Sequence, residues 1–237
     1  MSTPQHQIRQ PVNNSAGLSP EAIAELSRAY APLDFEARIR RLYEDFAPER
    51  VMVTSSFAAT SAYFLHIISG IRPEQTIHFI NTGFHFRQTL EYRDYLIELF
   101  RLRVEDIRPD SHHFRYAQQE RLYETDPDLC CSVNKVQPLE AAKGGFDVWV
   151  SSLMRWQTDH RADLEIFEER RGILKFNPMI DVTREERDAY IREHDLPFHP
   201  LVAEGYSSIG CSHCTVKGEG RSGRWRGKPK TECGLHL

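Results

Sequence analysis

The sequence predicts an α/β fold in which a parallel sheet is flanked by helices. Two observations carry that expectation. From Val51 onward, short apolar runs alternate with segments of helical spacing, and the runs end in loops of small or turn-forming residues. Such βαβ units place ligands at the carboxyl ends of the strands, so the loops Ser55 to Ser61 and Asn81 to His85 become the first places to look.

The elements follow in order. Ser19-Pro20-Glu21 supplies a capping hydroxyl, a proline suited to the first helical position and an acid at the positive end of the dipole, and so opens a first helix. A second helix starts after Asp34, with Phe35, Ile39, Leu42 and Phe46 forming an apolar stripe. Val51 to Val53 reads as a strand, Ser55 to Thr60 as a small polar loop, and Ser61 to Ser69 as a helix. Thr76 to Ile80 is a second strand ending at Asn81-Thr82-Gly83. Phe86 to Phe100 has helical spacing, Val104 to Ile107 is a third strand stopped by Pro109, and Phe146 to Val150 is a fourth after Gly144-Gly145. Thr183-x-x-Glu186 is a capping-box pattern opening a helix to about Glu193.

Three stretches differ in character. Residues 1–18 are mostly polar and are expected to form a flexible tail, residues 19–196 an α/β unit that includes the first cysteine pair, and residues 197–237 a C-terminal segment rich in Gly, Pro, Ser and basic residues. With 237 residues the chain is long enough for one large domain. The balance of 30 Lys+Arg against 34 Asp+Glu, net −4, excludes a polycation built for sequence-blind nucleic-acid binding. The most apolar stretch, Ala62 to Ile68, is interrupted by His66 and falls far short of a bilayer span, so no membrane partner is expected. Met1 to Leu18 has no signal-type apolar run, which makes the cytoplasm the expected location.

Five cysteines divide as an adjacent pair, Cys130-Cys131, a C-x-x-C, Cys211 and Cys214, and a single Cys233 near the end. Four plus one suggests a thiolate metal site and a separate reactive thiol. Four cysteines suit zinc or an iron–sulfur cluster, and adjacent cysteines reach separate irons of a cluster more easily than one small ion. Cys233, with a flexible Gly234 beside it, basic residues upstream and His236 nearby, is a candidate nucleophile; an exposed inert thiol is the alternative. The loop after the first strand can offer hydroxyls and backbone N–H groups to a phosphate; with no glycine to ease close approach, an ordinary polar turn is the alternative. Arg155, Gln157 and Arg161, after the fourth strand, suit an anionic substrate, with an ordinary solvated charged face as the stronger alternative on these residues alone.

Together these pieces resemble the assimilatory sulfonucleotide reductases. The residues carrying the likeness are Thr54-Ser55-Ser56-Phe57 with Ser61, Asn81-Thr82-Gly83, Glu91-Tyr92-Arg93-Asp94, Cys130-Cys131 with Lys135, Arg155-x-Gln157, Tyr206-x-Ser208-Ile209-Gly210-Cys211-x-x-Cys214, Gly223-Arg224-Trp225 and Glu232-Cys233-Gly234-Leu235-His236. The resemblance implies an adenine nucleotide α-hydrolase-like fold of the modified pyrophosphate-loop type, with the nucleotide over Ser55, Ser56, Phe57, Ser61, Thr82 and Gly83. It implies Lys135, Arg221, Arg224 and His236 around the sulfate. It further implies a 4Fe-4S cluster on Cys130, Cys131, Cys211 and Cys214, Cys233 as nucleophile, and a thioredoxin or glutaredoxin as reductant. The reaction implied is reduction of adenylyl sulfate, or its 3′-phosphorylated form, to sulfite through a cysteine S-sulfonate. A diverged sulfur-transfer enzyme and an iron–sulfur sensor remain alternatives, and a homo-oligomer stays open. The chain departs from the family pattern at Asn81 and Asn134, where an Asp and an Arg are usual.

Overall fold

The computed structural model describes residues 18–236; the tail expected over residues 1–18 lies outside them except for Leu18, which packs on the core. Helix α1 (Pro20–Tyr30) is capped by the Ser19 hydroxyl, which accepts from the Ala22 N–H at 3.3 Å, and α2 (Phe35–Asp45) by Asp34, which accepts from Ala37 at 2.8 Å. The order then runs β1 (Val51–Thr54), α3 (Ser61–Ile71), β2 (Thr76–Ile80), α4 (Arg87–Phe100), β3 (Arg103–Ile107) and α5 (Ser111–Gln119). Next come α6 (Leu122–Thr125), α7 (Pro127–Cys131), a π-helical turn Ser132–Val136, α8 (Gln137–Ala142), β4 (Val148–Val150) and α9 (Asp159–Ala162). The hairpin β5 (Phe167–Arg170) and β6 (Ile173–Phe176), then α10 (Arg184–Glu193) and α11 (Pro200–Ala203), complete the set.

The strands form one sheet in the order β3-β2-β1-β4-β6-β5. Five run parallel, and β5 pairs antiparallel with β6, so the α/β expectation stands while the sheet is mixed rather than parallel throughout. The hairpin escaped the sequence reading for a physical reason. Phe167-Glu168-Glu169-Arg170 is three-quarters charged, and its turn depends on Arg171 and Gly172 at φ 53° and 82°, a twist-matched pair whose first member is not a usual turn residue. The expected fourth strand starts at Val148, not Phe146. The Phe146 N–H closes a turn onto the Lys143 carbonyl, and Asp147 is held by Arg50 at 2.7 and 3.0 Å.

The central strands are buried on both faces, as a parallel sheet covered by helices requires: Val51, Met52, Val53, Ile77, Phe79, Val148 and Val150 all lie in the core. The capping box of α10 forms as the sequence suggests, with Thr183 accepting from the Glu186 N–H at 3.1 Å and Glu186 accepting from the Thr183 N–H at 2.8 Å. Among the described residues no helix is long and apolar enough to cross a membrane. Strand order reverses between β1 and β4, and there the strand-end loops part to leave a crevice.

Candidate active site

At the crevice, Thr54 ties the two diverging strands: its hydroxyl accepts from the Trp149 indole N–H at 2.8 Å and donates to the Val150 carbonyl at 3.2 Å. Ser55 Oγ accepts from the Phe57 N–H at 3.2 Å, a tight local turn that holds Phe57 at φ 48°. The Phe57 ring points into the core, edge-on to Phe79 at 5.5 Å, so this residue anchors the loop and does not line the crevice as expected. Ser55, Ser56 and Ser61 do line it, next to Thr82. Gly83 does not: its φ is 74°, and a Cβ there would meet the Phe114 ring at 2.5 Å, so the backbone and not a ligand requires glycine. Asn81 holds the same turn, accepting from the Gly83 N–H at 3.2 Å and donating to Asp106 at 2.8 Å.

The first cysteine pair sits where α7 passes into the π-helical turn, which rotates the following residues relative to a regular helix. Asn134 donates to the Cys130 carbonyl at 2.9 Å and lies 3.7 Å from its sulfur; Lys135 Nζ lies 3.8 Å from Cys131 Sγ. The second pair arrives from the C-terminal segment, docked by a bridge between His85 and Cys211 and by the Ser212 N–H donating to the Phe84 carbonyl at 2.8 Å. The Arg224 guanidinium lies over Gly210, where a Cβ would make that side chain move. Thus the four cysteines join one apolar cluster with Phe84, Val133 and Trp225, and Cys233 packs at its edge. All five are free thiols. Among the described residues, no three His, Cys, Asp or Glu side chains are grouped as one metal ion would need.

The thiols are electrostatically unequal. Burial pushes Cys130 up to about 12 and Cys214 up to about 11, and raises Cys131 as well. Burial acts the same way on Cys211, but the Lys135 charge and a contact from Thr82 at 3.4 Å outweigh it, so that thiol is lowered. Lys135 is itself buried, which disfavours its charge, yet Cys211, Cys131 and Cys233 together hold it protonated.

Cys233 reaches the crevice on a strap fastened by its neighbour. The buried Glu232 carboxylate accepts from Arg161 at 3.1 and 3.2 Å, from Arg221 at 3.2 Å and from Thr158 at 3.0 Å. Burial disfavours its charge, but the two guanidinium groups overcome that and hold its carboxyl below the usual range. Beyond Cys233, His236 stacks on Trp149 with ring centres 5.2 Å apart and planes 9° from parallel, and its carbonyl accepts from His160 at 3.0 Å. Gln157 holds Arg161 through its side-chain oxygen.

The resulting cavity, 530 Å³, brings together Lys135, Gln157, Arg161, Arg221, Arg224 and His236 around Cys233, with the Ser55 to Ser61 loop as another wall. Arg155, like Phe57 and Gly83, is an expected site residue outside this cavity: it donates to the Leu164 carbonyl at 3.1 Å and faces Glu165 at 3.6 Å. The sequence reading passed over Trp149 and Glu232 as site residues. A tryptophan in a strand reads as core, and a lone Glu beside a cysteine has no meaning until Arg161 folds over it. Arg184 and Arg187 of α10 also line the cavity without having been singled out.

A crevice at a strand-order reversal, lined by hydroxyls, basic side chains and a thiol, defines a nucleotide-site α/β protein equipped for sulfur chemistry. The chain belongs to the phosphoadenosine phosphosulfate reductase domain family, whose model matches residues 50–217. It is 36% identical over 234 residues to the phosphoadenosine 5′-phosphosulfate reductase of Gloeobacter violaceus, covering 93% of this chain and 95% of that one. It is 39% identical over 220 residues to an adenosine 5′-phosphosulfate reductase of a Chelativorans species, covering 90% of each. The fold is similar to the crystal structure of phosphoadenylyl-sulfate reductase from Candida auris in its phosphate complex, with TM-score 0.71 and 26% identity over 84% of this chain and 98% of that one. A weaker likeness to the FMN adenylyltransferase of Candida glabrata, TM-score 0.58 at 9% identity, concerns the fold alone. The two bacterial relatives differ in the sulfonucleotide for which they are named.

Proposed function

We propose that the chain is a sulfonucleotide reductase in which Cys233 takes the sulfonate of adenylyl sulfate or its 3′-phosphorylated form and a thioredoxin or glutaredoxin dithiol releases it as sulfite. The observation that carries this reading is the half-buried Cys233, strapped by Glu232 into a cavity whose wall supplies Lys135, Arg161, Arg221 and Arg224. Thiolate and sulfonate repel one another, so prearranged cations are the main aid the site can give to their approach. In the first step the Cys233 sulfur forms a bond to the sulfonate sulfur. The bond from that sulfur to the bridging oxygen breaks, and the nucleotide phosphate leaves with its electron pair. In the second step a reductant thiolate attacks Cys233 Sγ, sulfite departs with the electrons of the sulfur–sulfur bond, and the reductant's second thiol closes its own disulfide and restores Cys233.

The four remaining cysteines suit a 4Fe-4S cluster: four soft donors, unpaired and gathered in apolar surroundings. Spreading thiolates over separate irons does not require them to meet at one ion, and adjacent Cys130 and Cys131 suit that division. When bound, the cluster supplies negative charge and covalent cross-bracing between the two segments. Lys135, in contact with Cys131 and charge-coupled to Cys233, links that region to the nucleophile. Free thiols suit a cytoplasmic setting.

The test is anaerobic incubation with each sulfonucleotide, followed by intact mass. Wild type is expected to gain one sulfonate and to release sulfite when thioredoxin is added, whereas Cys233→Ser gains none while still binding AMP. An adduct on another cysteine, or no sulfite from either nucleotide, would overturn the reading. Iron and inorganic sulfide in equal amounts per chain are expected in the same preparation; zinc alone would displace the cluster.

A further inference from the structure

Six lysines and arginines line the cavity, Lys135, Arg161, Arg184, Arg187, Arg221 and Arg224, and among the described residues one carboxylate does, Glu232. Both of its oxygens are engaged. Oε1 accepts from Thr158 at 3.0 Å and from Arg161 Nε at 3.1 Å, while Oε2 accepts from a terminal nitrogen of Arg161 and one of Arg221, each at 3.2 Å. Arg161 thus presents to Glu232 the two-pronged fork that guanidinium groups offer to phosphate as readily as to carboxylate. Arg221 keeps capacity in reserve, because its Nε is buried without a partner. The Arg221 nitrogen on Glu232 also donates to the Thr231 carbonyl at 2.7 Å, so one guanidinium holds the strap at two consecutive residues.

Holding the strap in place does not require this charge. Leu235 packs with Met52, Leu139 and Trp149 on one side of residues 231–234, and Lys230 pairs with Asp128 on the other. Replacing a buried ion pair by well-packed apolar side chains is often neutral or stabilising, so a carboxylate next to the nucleophile is poorly explained as a stability device. What it offers instead is exchange: a second anion can take the same guanidinium groups. Resting on the sulfonucleotide reading for the identity of that anion, we propose that Glu232 is a positioning residue that competes with the substrate for Arg161 and Arg221, so that an arriving phosphate or sulfonate unfastens the segment carrying Cys233. The thiol is held until an anion reaches the cavity and is then freed, first toward the sulfonate and afterwards toward the reductant.

The experiment measures binding of AMP and of inorganic sulfate by calorimetry at fixed ionic strength, in wild type, Glu232→Gln, Glu232→Asp and Thr158→Val, and follows hydrogen exchange of residues 231–234 with and without AMP. Glu232→Gln is expected to bind AMP about 10-fold more tightly than wild type, because the competitor has lost its charge. Thr158 does not line the cavity, and Thr158→Val, which removes one contact to Glu232 and no charge, is expected to tighten AMP binding about two- to threefold. Glu232→Asp keeps the charge and is expected to return the affinity to within about threefold of wild type. In wild type, saturating AMP is expected to speed exchange over residues 231–234 about 10-fold, whereas in Glu232→Gln exchange is already fast and AMP adds nothing. A carboxylate that only braces the strap predicts the reverse: AMP binding by Glu232→Gln equal to or weaker than wild type, and exchange that slows when AMP fills the cavity. Either result, or no binding of AMP and sulfate by any of the four proteins, would overturn the inference. Sulfite release by wild type is measured separately: none from either sulfonucleotide would remove the reductase reading, while the competition is still judged from AMP and sulfate.

Discussion

The sheet and the C-terminal strap are held by opposite means. Strands β1, β2 and β4 lock through side chains such as Val53, Ile77 and Val150, each with no exposure to solvent. The strap is held by Glu232 between Arg161 and Arg221, by Lys230 on Asp128 and by one stacked imidazole, with Leu235 as its apolar contact on the core. Apolar burial is non-directional and lost only with the fold, whereas an ion pair can be exchanged for another anion or for water. The second kind of attachment suits the role proposed for Cys233, which meets first a nucleotide and then a protein reductant. The two arginines that fasten the strap also line the cavity beside Cys233.

That contrast can be broken in order of expected effect. Ile77→Ala removes a fully buried side chain from β2 and is expected to lower unfolding free energy by about 2–5 kcal/mol in denaturant titration, with strap and sheet unfolding together. Glu232→Gln keeps the shape but leaves two arginines facing a neutral amide. Hydrogen exchange over the strap is expected to speed up about 10- to 100-fold while the sheet midpoint hardly moves. A common loss of protection in both regions would show that they are one cooperative unit.

Lys175 sharpens the comparison because it is a charge inside the sheet. Its ammonium is buried without a hydrogen-bond partner, 3.9 Å from Glu168, and burial pushes it down to about 8. The folded state therefore binds fewer protons than the unfolded chain between about pH 8 and the ordinary value of 10.5, and this group makes stability rise with pH across that window. Lys175→Met is expected to abolish that rise and to leave the protein at least as stable at neutral pH, read from denaturant midpoints at pH 7 and 9. A clear loss of stability at pH 7 would assign the ammonium a partner.

How far this was legible in the sequence follows from range. Strands β1 to β3 and the caps of α1, α2 and α10 depend on residues within a few positions of one another, and they were readable. The β5–β6 hairpin was not, because its charged strand is made by pairing rather than by pattern. The cysteines, Lys135 and the terminal motif were readable because their residue types are rare and chemically committed. Arg155 was misplaced and Trp156 overlooked for one reason: in a single 3-10 turn, neighbours point about 120° apart, and sequence adjacency does not say which of them faces the cavity. Asn134, noted only as a departure, proves to hold the Cys130 backbone and to touch its sulfur.

The stack of His236 on Trp149 has a further consequence. The chain has three tryptophans: Trp149 lies under the tail, Trp156 under the α10 arginines, and Trp225 against the cysteine cluster between Arg224 and Lys230. Indole emission responds to neighbouring imidazole and charge, so the tail, the α10 arginines and the cysteine cluster each have their own optical reporter. Replacing two of the three with phenylalanine would leave a single colour channel that follows tail departure, nucleotide arrival or cysteine chemistry in real time, with no label attached.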